Sequence, residues 1–319
     1  MQDVSGFDCL LAGELMTLAA IAYAGDQTGS LPDVKTEIQL QLADTAYATK
    51  GAWQLVWGPI RGRYGDNLAY VAQKGSDPVW AIVLRGTVMH LDSWWEDVPT
   101  GQKPFPYIND AETGVSNHFF AGLNGLLETA DGPAGTLEAF MKAATAGADD
   151  ITVYTIGHSQ GGGLAPMFLA WAMAAASGWS QRGSLTSACY AFAPPTSGNP
   201  AFATWIGKHA QSYQVCNPLD VVPLGYSAIG AAITHQIPDR VPWRYYPEIW
   251  AAEGQAWASG PWQQPATVET LAKIQLPSSI GYFDQVGAQH NHNSYLWLLG
   301  APETTVGDPS ILPHYASTK

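Results

Sequence analysis

The chain has 319 residues, of which 27 are acidic and 14 basic, and its formal charge is −13. That balance opposes nucleic acid, whose binding rests on Lys and Arg neutralising phosphates, and it opposes charge-driven docking on anionic membranes. With 46% apolar and only 13% charged residues, 33 Gly and 22 Pro, the chain reads as a well-cored protein with many ordered turns.

The opening stretch "MQDVSGFDCLLAGELMTLAAIAYAGD" lacks a basic leader, and acids interrupt its apolar run. It reads as an amphipathic helix near 8–24 rather than a signal peptide, within a helical segment of about 1–50. No stretch reaches the roughly 18 apolar residues of a spanning helix, and the compartment stays open. Two strand-like runs follow, "NLAYVAQKG" and "VWAIVLRG", joined by "SDP". After an irregular stretch at 88–114 come helices near 116–130 and 134–147, then the apolar, β-branched strand "ITVYTI". Ser159 stands next, in "TIGHSQGGGLAP", and "LAPMFLAWAMAAASG" continues as a helix ending near Gly178. Strand, G-x-S-x-G turn and helix form the setting of a nucleophile elbow.

Beyond it lie a strand near 186–192, a short helix near 199–210, and the strand "SYQVCN" leading into "PLDVVPLG". Cys189 and Cys216 fall on core strands, as free buried thiols rather than a disulfide framework. No repeat or charged linker divides the chain, so one domain spanning 1–319 is expected. Alternating strands and helices predict an α/β fold, a largely parallel sheet with helices on both faces and its site at the carboxyl ends of the strands. The segment at about 227–290 is unusual: Trp243, Trp250, Trp257 and Trp262 stand among few charges. Packing as core is the first expectation for it, and a wall or cap over the site the second.

A serine hydroxyl needs a base to take its proton, and a histidine oriented by a carboxylate is the usual one. In the α/β-hydrolase order the acid follows the serine and the histidine comes last. Asp220, Asp239, Asp284 and Asp308 are the aspartates available, and His209, His235, His290, His292 and His314 the histidines. Asp220 is preferred because the loop after a strand points it into the site; Glu248 and Glu253 lack such a strand. In "GAQHNHNSYLWLLGAP", His292 sits at a loop-to-helix junction and is the expected base, with His290 the runner-up. Two histidines at i and i+2 on a strand could also bind metal, but no second ligand cluster accompanies them. No metal and no organic cofactor is expected. For the oxyanion, the Gln160 backbone N–H and a donor from the loop after "AIVLRGT", Thr87, are the candidates. His158 is expected beneath the elbow, and Asp92 or Asp97 against Arg85.

"VLRGT" with "DSWWED", "GHSQGGGLA", "FAPPTSGNPAFA", "NPLDVVPLG" and "HNSYLWL" occur in the order found in class 3 lipases. The chain resembles that family over about residues 80–298. The resemblance implies the α/β-hydrolase fold, Ser159 as nucleophile, Asp220 as orienting acid, His292 as base, and Thr87 with Gln160 as oxyanion hole. His118 matches a histidine that the family carries after its lid, and Trp94 and Trp95 fall where the lid would be; with His158 they are candidates for the substrate pocket. Two departures stand out: Gln160 replaces the elbow's usual leucine, and Pro166 sits inside the elbow helix. The implied activity is hydrolysis of acylglycerols or other apolar acyl esters, with contact to a lipid–water interface, no nucleic acid and no obligate protein partner. Acyl transfer or thioester cleavage with the same triad is the alternative. An inactive lipid- or protein-binding relative, working through the Trp-rich surface, is the rival of another class.

Overall fold

Period-two alternation in the central strands divides the apolar residues between two cores. Ala69, Val71, Ile82 and Leu84 face one side of the sheet, while Leu68, Tyr70, Ala72, Ala81 and Val83 face the other. The computed structural model describes residues 6–24, 29–63, 67–86, 101–179, 182–234, 239–264 and 267–316. Helices α1 (Cys9–Ile21) and α2 (Leu31–Leu42) precede strands β1 (Trp53–Arg61), β2 (Leu68–Lys74) and β3 (Val79–Arg85). An antiparallel pair, β4 (Gln102–Pro104) and β5 (Gly114–Ser116), leads into α3 (Asn117–Leu127) and α4 (Leu137–Ala144). Then come β6 (Ile151–His158), α5 (Gln160–Ala175), β7 (Leu185–Phe192), α6 (Pro200–His209) and β8 (Gln211–Cys216). The single turn α7 (Ala231–Thr234), α8 (Tyr246–Ala258), β9 (Thr267–Thr270), α9 (Tyr282–His290) and α10 (His292–Leu298) complete the order.

Among the described residues the main sheet has seven strands in the order β1-β2-β3-β6-β7-β8-β9. The first three are antiparallel neighbours; from β3 through β9 every pairing is parallel. The mostly parallel sheet expected from the alternating elements is therefore present, with β1 and helix α2 as additions that the sequence reading did not resolve. Side-chain caps fix several helix starts: Asp8 accepts from the Leu10 and Leu11 amides, and Asn199 accepts from the Phe202 amide.

The two cores take different helices. Helices α3, α4, α5, α6, α8 and α9 bury residues such as Leu123, Met141, Phe168, Phe202, Ile249 and Val286 against one face. Helices α1, α2 and α10 bury Leu15, Ile38, Tyr295 and Leu296 against the other. The chain therefore passes from one face of the sheet to the other between α9 and α10, over the sheet's end. Asn291 makes the crossing in an extended conformation (φ −55°, ψ 132°), and its side chain caps α10 by accepting from the Asn293 amide at 2.7 Å.

Cys189 is buried, and burial pushes its thiol up to about 12; Cys216 is likewise pushed up to about 12. Both are free thiols and neither is poised as a nucleophile. The Trp-rich segment departs from the expectation of core packing. Trp262 stacks on Tyr226 with ring centres 4.5 Å apart and donates its indole N–H to the Ala256 carbonyl, bracing α8. Trp243, Trp250 and Trp257 are instead 80%, 57% and 84% exposed.

Candidate active site

Ser159 sits at the turn between β6 and α5 with φ +60° and ψ −131°, a left-handed conformation uncommon for a residue with a side chain. Its amide donates to the Phe192 carbonyl at 2.9 Å, and its carbonyl accepts from the Gly163 amide at 3.1 Å. So tight a turn brings backbone against backbone. A methyl group at Gly157 would overlap the Gly161 carbonyl, and one at Gly161 would overlap the Leu84 carbonyl at the end of β3. These glycines let α5 start directly over the sheet, with its free N-terminal amides and the positive end of its dipole beside Ser159.

Asp220 follows β8 in a turn closed by its own amide donating to the Asn217 carbonyl at 3.0 Å. Its Oδ1 accepts from the Val222 amide at 3.0 Å, and its Oδ2 accepts from the Tyr295 hydroxyl at 2.8 Å. Tyr295 in turn accepts from the Asn217 amide at 3.0 Å, so a buried tyrosine on α10 clamps the loop and the carboxylate together. Two fixed donors on the carboxylate of an aspartate that is 3% exposed keep it oriented for a third.

That third donor is His290. Its Nδ1 lies 2.8 Å from Asp220 Oδ2 and its Nε2 lies 2.9 Å from Ser159 Oγ. With Nδ1–H donating to the carboxylate, the Nε2 lone pair faces the serine hydroxyl, the geometry that a proton acceptor needs. All three side chains come from distant parts of the chain and are buried, and Ser159 and His290 line a cavity of about 570 Å³.

His292, the expected base, is elsewhere. Its Nε2–H donates to the Val306 carbonyl at 2.7 Å, and its ring stacks on Tyr23 at 5.3 Å. The reason is the crossing at Asn291: the histidine ending α9 meets Ser159, whereas the one starting α10 is turned to the Val306 carbonyl, although both border the same cavity. Burial, with His290 close by, holds the His292 imidazole below its ordinary value despite its bond to the Val306 carbonyl.

His158 lies under the elbow as expected. Its Nε2–H donates to the His290 carbonyl at 2.9 Å, its ring centre is 4.7 Å from that of His290, and Tyr23 Oη lies 3.3 Å from its Nδ1. Burial first, then the neighbouring His290 and His292, keep this imidazole well below its ordinary range and therefore neutral. The pair has a consequence for stability. Because both folded-state values lie below that of an unfolded histidine, about 6.5, the unfolded chain binds up to two more protons as acidity rises. Stability is fully present above about pH 6.5 and falls below it, by up to about 1.4 kcal/mol per pH unit for each histidine. Denaturant melts between pH 7.5 and 5, above the ordinary carboxylate range, should show this slope, and a His158→Gln protein should show a shallower one.

Gln160 follows the nucleophile, so its backbone N–H points out of the first turn of α5. Its side chain is bonded to His118 Nε2 on α3, and it fills the space over Gly86, where a methyl group would overlap it. The polar residue that replaces the family's leucine thus ties α3, α5 and the end of β3 together. Thr87, Trp94, Trp95, Asp92, Asp97 and His235 lie outside the described residues. Among the other candidates, His209 stacks on Trp205 at 4.6 Å, and Asp284 and Asp308 are exposed on the cavity wall. Among the described residues no group of three or more His, Cys, Asp or Glu is placed to hold a metal ion, and no helix is long and apolar enough to cross a membrane.

A seven-stranded, mostly parallel sheet with a serine elbow after a central strand, an acid after a later one and a histidine last defines an α/β-hydrolase. Residues 81–227 match the model of the family described as Lipase (class 3), so this part of the chain is similar to class 3 lipases, and the chain is a lipase/esterase-type serine hydrolase. Its fold is similar to that of M37 lipase, with a TM-score of 0.75, 21% identity, and 92% of this chain and 91% of that one covered. It is also similar to the lipase from Rhizopus microsporus var. chinensis (TM-score 0.51, 17% identity, 68% of each chain). Lipase II from Rhizopus niveus aligns with a TM-score of 0.50 and 17% identity, over 68% of this chain and 74% of that one. No curated protein matches the sequence.

Proposed function

We propose that Ser159, His290 and Asp220 are the catalytic triad of a hydrolase acting on acylglycerols or other apolar acyl esters. The observation that carries the reading is the unbroken relay from Ser159 Oγ through the His290 ring to Asp220 Oδ2, at 2.9 and 2.8 Å. As Ser159 Oγ attacks the ester carbonyl, its proton passes to His290 Nε2, and Asp220 stabilises the imidazolium. The Gln160 amide and Thr87 hold the negative charge that develops on the carbonyl oxygen. The C–O bond to the alcohol then breaks, and His290 returns the proton to the departing oxygen. Water, deprotonated by His290, attacks the acyl-enzyme, and the released carboxylic acid leaves Ser159 protonated again. No step needs a cofactor.

A fluorophosphonate probe should add one covalent group per chain, which peptide mass spectrometry should place on Ser159. Labelling should be lost in His290→Ala but kept in His292→Ala. Absence of labelling in folded wild-type protein would overturn the assignment. With a p-nitrophenyl ester, free acid should be the main product even when a short alcohol is added; dominant ester exchange would instead make the chain an acyltransferase.

A further inference from the structure

Three of the exposed large apolar side chains are the indoles of Trp243, Trp250 and Trp257. They recur every seven residues: Trp250 and Trp257 lie close to two helical turns apart on one side of α8, and Trp243 stands in the 3-10 turn that leads into it, so the three form an exposed row. The opposite flank of α8 carries Ile249, Ala252 and Ala256, all buried in the core, so the helix has one apolar face inward and a second outward. Isolated exposed apolar residues need no explanation, but a row of indoles 57–84% exposed does. The row adjoins the active site. Tyr245, between Trp243 and α8, packs edge-on against Phe283 at 5.3 Å, and Phe283 lines the cavity that holds Ser159 and His290.

We infer that this row is the surface by which the protein adsorbs to an uncharged or zwitterionic lipid–water interface, which sets the catalytic cavity beside its source of ester. The inference rests on the hydrolase reading for its purpose but not for its test. Indoles suit that boundary, because the ring partitions into the acyl region while the N–H meets carbonyl and headgroup oxygens. Charge selects the lipid. Helix α8 carries Glu248 and Glu253 and no Lys or Arg, and Arg244, in the turn before it, is held against Tyr245; two acids against one base, in a chain of formal charge −13, disfavour an anionic surface. The same charges oppose a second copy on this face, since a two-fold pairing would bring the glutamates of both helices together.

The test uses full-length Ser159→Ala protein, so that binding is read without hydrolysis. With phosphatidylcholine vesicles, tryptophan emission should shift to the blue and the protein should sediment with the lipid. Adding phosphatidylserine should weaken both effects. In W243S/W250S/W257S the partition coefficient should fall about a hundredfold. The triple variant with Ser159 intact should keep its turnover of a dissolved short-chain p-nitrophenyl ester and lose turnover of emulsified ester. Should the triple variant fail to fold, W243S and W257S singly, at the two most exposed positions, should each lower partition. Equal partition of variant and wild type, no partition of wild type, or a concentration-dependent dimer abolished by the substitutions would each overturn the proposal. Ester turnover surviving in Ser159→Ala would instead count against the triad and leave the vesicle result standing.

Discussion

Ser159→Ala is expected to fold with an unchanged melting temperature and to lose about 10⁵–10⁶-fold in ester turnover. The two halves of that expectation have separate causes. The hydroxyl is a single atom at the rim of a cavity, and the bonds that hold the elbow run through the backbone of Ser159, so the fold hardly registers its removal. The reaction registers it fully, because His290 then has no alcohol to deprotonate and no acyl-enzyme forms. Six decades correspond to about 8 kcal/mol of barrier. The residue left behind should be the contribution of substrate binding and the oxyanion donors alone. Steady-state rates with a dissolved chromogenic ester, alongside calorimetry, check both halves. A loss below about tenfold in folded protein would remove Ser159 from the chemistry.

The second large effect separates two histidines that stand one residue apart. His290→Ala should cost about as much as loss of the serine, since triad members act as a unit. His292→Ala should keep turnover within about tenfold and lose stability by roughly 1–3 kcal/mol. It removes a buried hydrogen bond to the Val306 carbonyl and the stack on Tyr23 but touches no reacting atom. Asp220→Asn gives a third point. The amide can offer N–H where His290 Nδ1–H must donate, which favours the wrong tautomer, and a loss near 10⁴-fold is expected. Near-normal rates in His290→Ala, with collapse in His292→Ala, would reverse the reading.

The elbow was the most legible part of the site in the sequence. A β-branched run, G-H-S-Q-G and an Ala-rich helix leave few structures open, and Asp220 was visible from its place just beyond a strand. The histidine was harder, and the cause is geometric. "HNHNSYLWL" shows a helix start at 292 but not that another helix ends at 290. The signal lay upstream: Tyr282, Gln285, Val286, Gln289 and His290 form one buried stripe at spacings of three and four, which carries His290 along the inward face of α9. Because that stripe mixes glutamines with apolar residues, periodicity of hydrophobicity alone misses it. Gln285 and Gln289 are buried by bonding the Ile280 and Ile274 carbonyls, a compensation that exists only in the folded chain. The Trp-rich segment misled for the opposite reason. Hydrophobic side chains predict burial by default, and only the inward stripe of Ile249, Ala252 and Ala256 shows which flank of α8 the core had already taken.

Tyr23, at one end of the described chain, packs on His158 and His292, and Tyr47 bonds Thr305 across 258 positions. Such distant partners make assembly a late event, because the entropy of closing so long a loop is spent before the contact repays it. During synthesis the sheet and the elbow can form around the emerging polypeptide well before residue 290 leaves the ribosome. A nascent chain would therefore hold a folded but silent serine, and hydrolytic competence would arrive only as the segment that carries His290 docks.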